Sequence, residues 1–166
     1  MIVVSDSSVL IALSRIGKLD LLPRLFGQVL IPPTVAEEIS VEGKPGSAAL
    51  QQIEWLEVTA VAESSKVIAL MHSGVSWNKL HRGEAEAIIL ASEVNARYLL
   101  IDERRGRKMA LQFGLDVVGV LGVLALAKKK GLLPGIRESM DDLVGSGFRI
   151  HGSLYRAVLA EAGELD

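Results

Sequence analysis

Short apolar runs that pass straight into helical patterns constrain this chain more than any other feature. IVV at residues 2–4 leads through Ser5 and Asp6 into residues 7–16, where Val9, Leu10, Leu13 and Ile16 share one helical face. QVLI at 28–31 runs into Pro32-Pro33-Thr34, and proline is well placed at a helix entry. YLLI at 98–101 precedes a basic helix over 103–113, and the strand at 115–118 precedes a helix over 121–130 closed by Gly131. Strands this apolar are covered on both faces, and strands that alternate with helices pair in parallel. The pattern predicts an α/β fold with a central, mostly parallel sheet.

The remaining segments fit that plan. Helices are expected at 19–26, 63–72, 83–94, 136–145 and 153–162, and WLEVTAV at 55–61 reads as an edge strand. VEGKPGS at 41–47 is a turn-rich break followed by a helical stretch to about residue 53, and SGVSWNKL at 73–80 is a loop. With no repeat and no linker, residues 1–166 read as a single domain long enough to bury a core. Hydrophobic residues make up 49% of the chain, which argues against disorder. The absence of cysteine excludes disulfides and thiolate metal sites and fits a reducing, cytoplasmic setting. No basic segment precedes the first apolar run, so no signal peptide is expected, and no apolar stretch approaches the roughly 20 residues of a membrane span. The net charge of −2 argues mildly against a protein that coats nucleic acid through overall charge, so local charge has to decide.

The acids gather where an open parallel sheet places its functional groups, outside the carboxyl ends of its strands. Asp6 follows the first strand and Asp102 follows YLLI; Glu84 lies in the first turn of the long helix before YLLI, and Glu37 and Glu38 lie early in the helix after the second strand. Acids from four segments converging on one edge form a natural site for Mg²⁺ or Mn²⁺, which prefer oxygen ligands and keep several waters. Without a cation such carboxylates repel and raise one another's pKa values. An ion there can activate water and hold a phosphodiester for in-line attack. Each acid also has an ordinary reading, as a helix cap or as a partner of the helix dipole. A cap at the first helix can be supplied by Ser7 or Ser8 instead, which would free Asp6.

Four segments carry a family resemblance: VVSDSSVLIAL at 3–13, IPPTVAEEI at 31–39, GEAEAIILA at 83–91 and LLIDERRGRKMA at 99–110. In this order they resemble the PIN-domain family of metal-dependent ribonucleases, which includes toxins of VapC type. The stretch GVLGVLALAKKKGLL at 119–133 looks like a largely uncharacterised PIN subfamily. The resemblance spans essentially the whole chain. It implies a three-layer α/β/α sandwich with an acidic cluster binding Mg²⁺ or Mn²⁺. The family's acids map onto Asp6, onto Glu38 rather than Glu37, onto Glu84 rather than Glu86, and onto Asp102, with Glu103 as an accessory. It further implies an RNA partner, single-stranded or structured, a small antitoxin protein and a homodimer. The sequence departs from the family at three places: Glu84 stands where the toxins often have Asp, Ile101 where Thr or Ser often precedes the acid, and Glu103 where a second Asp is common.

Other residues have two readings. Arg104, Arg105, Arg107 and Lys108 follow Asp102 and could grip a phosphate backbone or form a solvated helix face. His81 and Arg82, just before Glu84, have the same two readings. Ser8 could hydrogen-bond Asp6 and steady a metal site, or cap the helix. Trp77 could stack on a base or cover a core edge. Lys128 to Lys130 are expected at a helix C-terminus in solvent.

These observations lead to a PIN-type, Mg²⁺- or Mn²⁺-dependent endoribonuclease, the toxin of a toxin–antitoxin pair, with Asp6, Glu38, Glu84 and Asp102 as its catalytic and metal-binding set. The alternative is a PIN-fold module with weak or no cleavage that binds RNA or protein. A haloacid-dehalogenase-type phosphatase also begins with an acid after a strand, but it needs a second acid two residues on, where this chain has Ser8.

Overall fold

The structure is a computed structural model that describes residues 1–41, 53–74 and 79–165. VEGKPGS beyond Val41, the helical stretch before Ile53, and Trp77 lie outside the described residues. The chain runs β1 (Val3–Ser5), α1 (Ser7–Arg15), α2 (Leu21–Phe26), β2 (Val29–Ile31), α3 (Pro33–Val41), β3 (Leu56–Val58), α4 (Ser64–His72), α5 (Arg82–Glu93), β4 (Tyr98–Leu100), α6 (Arg104–Gln112), β5 (Val117–Val118), α7 (Val120–Lys129), α8 (Arg137–Gly145) and α9 (Gly152–Glu161).

The strands form one five-stranded sheet in the order β3-β2-β1-β4-β5. Every pairing is parallel, with Val3 opposite Val29 and Tyr98, Leu30 opposite Glu57, and Leu100 opposite Val118. The order reverses at β1, so chain connections leave in opposite directions from β1 and β4 and open a crevice above their carboxyl ends.

Side chains alternate across the sheet, which explains the continuously apolar strands. Val3, Val29, Ile31 and Leu100 point into one core, with Val9, Leu10, Leu13, Leu22, Val123 and Leu124. Val4, Leu99 and Ile101 point into the other, with Val67, Ile88, Leu90 and Ala110. Helices α1, α2, α7, α8 and α9 therefore cover one face, and α4, α5 and α6 the other, a three-layer α/β/α sandwich. Helix α3 packs against both α1 and α5 at the seam between layers. Each fully buried Leu or Ile contributes about 1.5–3 kcal/mol, so these cores dominate stability.

WLEVTAV forms an edge strand, shortened to Leu56–Val58. Val58 is exposed there, because an edge strand packs on fewer neighbours than a central one. Lys128 departs from expectation. It is half-buried and its Nζ pairs with Glu164 at 3.0 Å and donates to the Ala162 carbonyl, tying α7 to the end of α9. Glu164 also accepts from the Ile136 and Arg137 N–H groups, so one carboxylate joins three segments. Lys129 and Lys130 are exposed as expected. Among the described residues, no helix is long and apolar enough to cross a membrane.

Candidate active site

Asp6 sits at the crevice because β1 ends at Ser5 and α1 begins at Ser7. Its N–H continues the β1–β4 ladder by donating to the Leu100 carbonyl at 3.0 Å. Its side chain caps α1: Oδ1 accepts from Ser8 N–H at 3.0 Å. The cap therefore stays with Asp6 and does not pass to Ser7 or Ser8. The extended backbone at Asp6 (ψ −178°) turns its carboxylate back over the helix start, and only one oxygen is needed for the cap. Among the described residues, no donor reaches Oδ2.

Ser8 serves both of its readings at once. Its Oγ donates to Asp6 Oδ1 at 2.6 Å and accepts from the Asp102 N–H at 3.1 Å. The first and last acids of the set are thus linked through one hydroxyl, from positions 96 residues apart in the chain by subtraction of their numbers.

Asp102 is held on its far side by the start of α7. Its Oδ2 accepts from Val120 N–H at 3.0 Å, where the helix dipole also favours negative charge. Gly119 leaves room for this: a Cβ there would overlap Asp102 Oδ1 and crowd Arg107. The first glycine of the GVLGVL stretch is therefore the sequence signal for a close approach that periodicity and spacing alone do not assign.

Glu38 is half-buried and turned inward, whereas Glu37 is exposed. Ser7 Oγ donates to Glu38 Oε2 at 2.5 Å. Gly83 makes space for the other oxygen, since a Cβ at that position would overlap Glu38 Oε1. Glu84 is only 6% exposed and both of its oxygens are occupied. Oε2 accepts from His81 N–H at 3.0 Å, capping α5, and from Arg105 Nε at 3.1 Å, while Oε1 accepts from Arg105 Nη2 at 3.2 Å. Glu86 is buried as well but is engaged elsewhere, accepting from Thr34 N–H at the start of α3 and from Arg82 Nε. Nothing in the local pattern marks this partnership, because Thr34 and Glu86 meet only across the α3–α5 seam.

The electrostatics follow from this packing. Burial pushes the Asp6 carboxyl up to about 8, the Ser8 hydroxyl opposes the rise, and Asp102 and Glu84 add to it. Burial also raises Asp102, opposed by the Val120 N–H and Arg107 and reinforced by Glu103. Asp102 and Glu84 thus both lie within electrostatic reach of Asp6, and Glu38 is tied to the start of α1 through Ser7. The four do not close into a cage, however. Among the described residues no three His, Asp or Glu side chains stand close enough to form a ready metal-binding group. Each acid is drawn toward a different anchor: Ser8, Ser7, Arg105 or Val120 N–H.

The basic helix divides its charges. Arg105 turns to Glu84, and Arg107 donates to the Ile101 carbonyl at 3.2 Å beside Asp102. Arg104 and Lys108 remain exposed, as do Glu103, the residue before α6, and His81.

The donor set is chemically suited to Mg²⁺ or Mn²⁺. It consists of carboxylate oxygens; Asp6 Oδ2 has no donor among the described residues; and the charge that burial, with neighbouring acids adding to it, makes costly at Asp6 and Asp102 is what a hard cation relieves. An ion resting on Asp6 and Asp102, with water completing its shell, requires no cage of three acids.

Comparison with known proteins agrees with this fold. A PilT N-terminus domain protein from the hyperthermophilic archaeon Sulfolobus solfataricus P2 shares the fold, with a TM-score of 0.55 over 75% of this chain and 92% of that one at 21% identity. No curated protein matches the chain. A family model described as DUF3368: PIN domain matches residues 2–164. With that match over nearly its whole length, the chain belongs to the PIN domain family, a nuclease-type fold.

Proposed function

We propose that the protein is a Mg²⁺- or Mn²⁺-dependent endoribonuclease acting through Asp6, Glu38, Glu84 and Asp102. The observation that carries this reading is the crowding of Asp6 against Asp102 and Glu84 at the carboxyl edge of the sheet, where burial already raises the Asp6 carboxyl to about 8. Repulsion of this kind is a cost to folding unless a cation or a proton occupies the edge.

When bound, the metal would lower the pKa of water and stabilise charge on the leaving oxygen. The chain's own residues do the rest. Ser8 orients Asp6 and pins the backbone of Asp102. Val120 N–H holds Asp102 Oδ2, which leaves Oδ1 without a donor among the described residues. In the metal-free chain Asp6 holds a proton near neutral pH, and a bound cation would take the place of that proton. The exposed Arg104 and Lys108 supply cations for an RNA backbone beside this edge. A small antitoxin protein and a homodimer are the partners that accompany the toxin reading, and co-purification with sedimentation analysis tests both.

A second reading is favoured by one observation. Arg105 already neutralises Glu84, which suits a module that binds RNA without cutting it. A single titration separates the two: single-stranded RNA is incubated with wild type and Asp6→Asn at increasing Mn²⁺. The nuclease reading expects cleavage that requires metal and disappears in the variant. Binding without turnover at saturating Mn²⁺ would select the second reading, and equal cleavage by both proteins would remove Asp6 from the site.

A further inference from the structure

Asp102 also borders two adjoining clefts beside the acidic edge. The larger, about 700 Å³, lies between β5, α7 and α9. Its apolar side is formed by Leu121, Leu126, Phe148, Leu154 and Val158. Arg107, Lys129 and Arg149 supply positive charge, and Asp102 is the only acid among the lining residues. The smaller, about 510 Å³, includes Ser8, Asp102, Glu103, Phe148 and Arg149. Phe148 and Arg149 border both clefts, so they form a ridge between them beside Asp102.

The larger cleft falls in the range of volumes that hold small organic groups. Its chemistry is an apolar body with a cationic rim, and Lys129 and Arg149 have no acidic partner among the described residues. A ligand matching both features carries a flat apolar group and an anion. A purely apolar protein helix would cover the body but leave those cations without a counter-charge. Phe148 provides an aromatic side chain, on which a nucleobase of any sequence can stack.

We propose that this cleft binds one nucleobase of single-stranded RNA next to the phosphate held at the acidic edge, with the adjoining phosphate on Arg149 and Lys129. The proposal rests on the nuclease reading only in placing a phosphate near Asp102. The strand then crosses the Phe148–Arg149 ridge from one cleft to the other, and the apolar cleft sets which nucleotide lies beside the scissile bond.

The test measures binding of a fluorescein-labelled single-stranded RNA oligonucleotide by anisotropy without added divalent metal, so that affinity is read apart from cleavage. Arg149→Glu, Lys129→Glu and Leu154→Asp all change exposed side chains. Each is expected to weaken binding about tenfold or more, while Lys66→Glu, an exposed change on the opposite layer, leaves it unchanged. An oligonucleotide with abasic sites is expected to bind wild type as weakly as the intact one binds Leu154→Asp. Unchanged affinity in all three cleft variants would overturn the proposal. So would an equal loss in Lys66→Glu, which would mark diffuse charge attraction. If RNA affinity is kept but Leu154→Asp alters self-association in sedimentation, the cleft belongs to a second copy of the chain and the proposal fails. If wild type binds RNA through the cleft yet does not cleave it with Mn²⁺, the nuclease reading falls while the base-binding cleft stands.

Discussion

Arg105 grips Glu84 with two prongs, Nε to Oε2 at 3.1 Å and Nη2 to Oε1 at 3.2 Å, joining α6 to α5 beside the acidic edge. Fork-to-fork geometry makes this stronger than an ordinary surface pair. Arg105→Gln leaves Glu84 buried without its cation, and the expected cost is about 1–3 kcal/mol, seen as a lower melting temperature in EDTA. The same change frees Glu84 Oε1 and leaves Oε2 with the His81 N–H alone, so Mn²⁺ is expected to raise the melting temperature of Arg105→Gln by more than that of wild type. An equal metal response in the two proteins would place Glu84 outside the ion's reach.

Asp6→Asn keeps an amide oxygen for the α1 cap and removes the charge. In EDTA at neutral pH the variant is expected to be as stable as wild type or more so, because folding no longer has to bury and protonate an acid that is ionised in the unfolded chain, a cost to which Asp102 and Glu84 add. Divalent metal should stabilise wild type by mass action and leave the variant unmoved. Thermal shift across a Mn²⁺ series checks this, and a metal response of the same size in both proteins would contradict the assignment of Asp6 as a ligand.

The pH dependence has an unusual sign for a carboxylate. In the folded chain Asp6 keeps its proton up to about pH 8, whereas its ordinary value is 3.8. Between those values the folded state binds more protons than the unfolded state, so stability falls as pH rises. Asp102, shifted in the same direction, adds to the slope. Denaturant unfolding in EDTA should give lower stability near pH 8 than near pH 5, with a flatter profile in Asp6→Asn. A wild-type profile that rises over this interval would show that neither acid is held protonated.

Gly119→Ala tests whether Asp102 must approach the backbone of α7. The added methyl overlaps Asp102 Oδ1 and crowds Arg107, both ends of movable side chains. The fold should therefore lose only about 1 kcal/mol, while Asp102 is pushed off its position. RNA cleavage with Mn²⁺ is expected to drop at least about tenfold, a change far larger than the stability loss explains. Full activity in a well-folded Gly119→Ala would mean that the placement of Asp102 is not critical.

Ser8→Ala removes the hydroxyl that links Asp6 to the Asp102 N–H. Loss of two hydrogen bonds at a half-buried position should cost about 1–2 kcal/mol. Ser8→Thr retains the hydroxyl and should recover most of both stability and metal response. Equal behaviour of the two variants would show that the hydroxyl has no part in the site.

Much of the fold was legible because its signals are local. IVV, QVLI and YLLI could be read as buried parallel strands from composition alone, since a strand covered on both faces has no polar side to show. The placement of Asp6 and Asp102 at one edge followed from the same reading, because both follow strands of a parallel sheet. WLEVTAV was recognisable as an edge strand but not in its length, since where an edge strand stops depends on its single neighbour.

What the sequence determined alone was the alternation of strand and helix and the edge on which the acids fall, both consequences of local periodicity. Only the tertiary structure decided the partners of those acids. Ser8 could have been a cap, Arg105 and Arg107 an exposed basic face, Lys128 a solvated helix end and Gly119 an ordinary loop residue. Their roles became specific when Asp102, Glu84, Glu164 and the start of α7 were brought against them. Charge pairing and close backbone approach act over a few ångströms in space, whatever the separation along the chain, and so leave no period in the sequence.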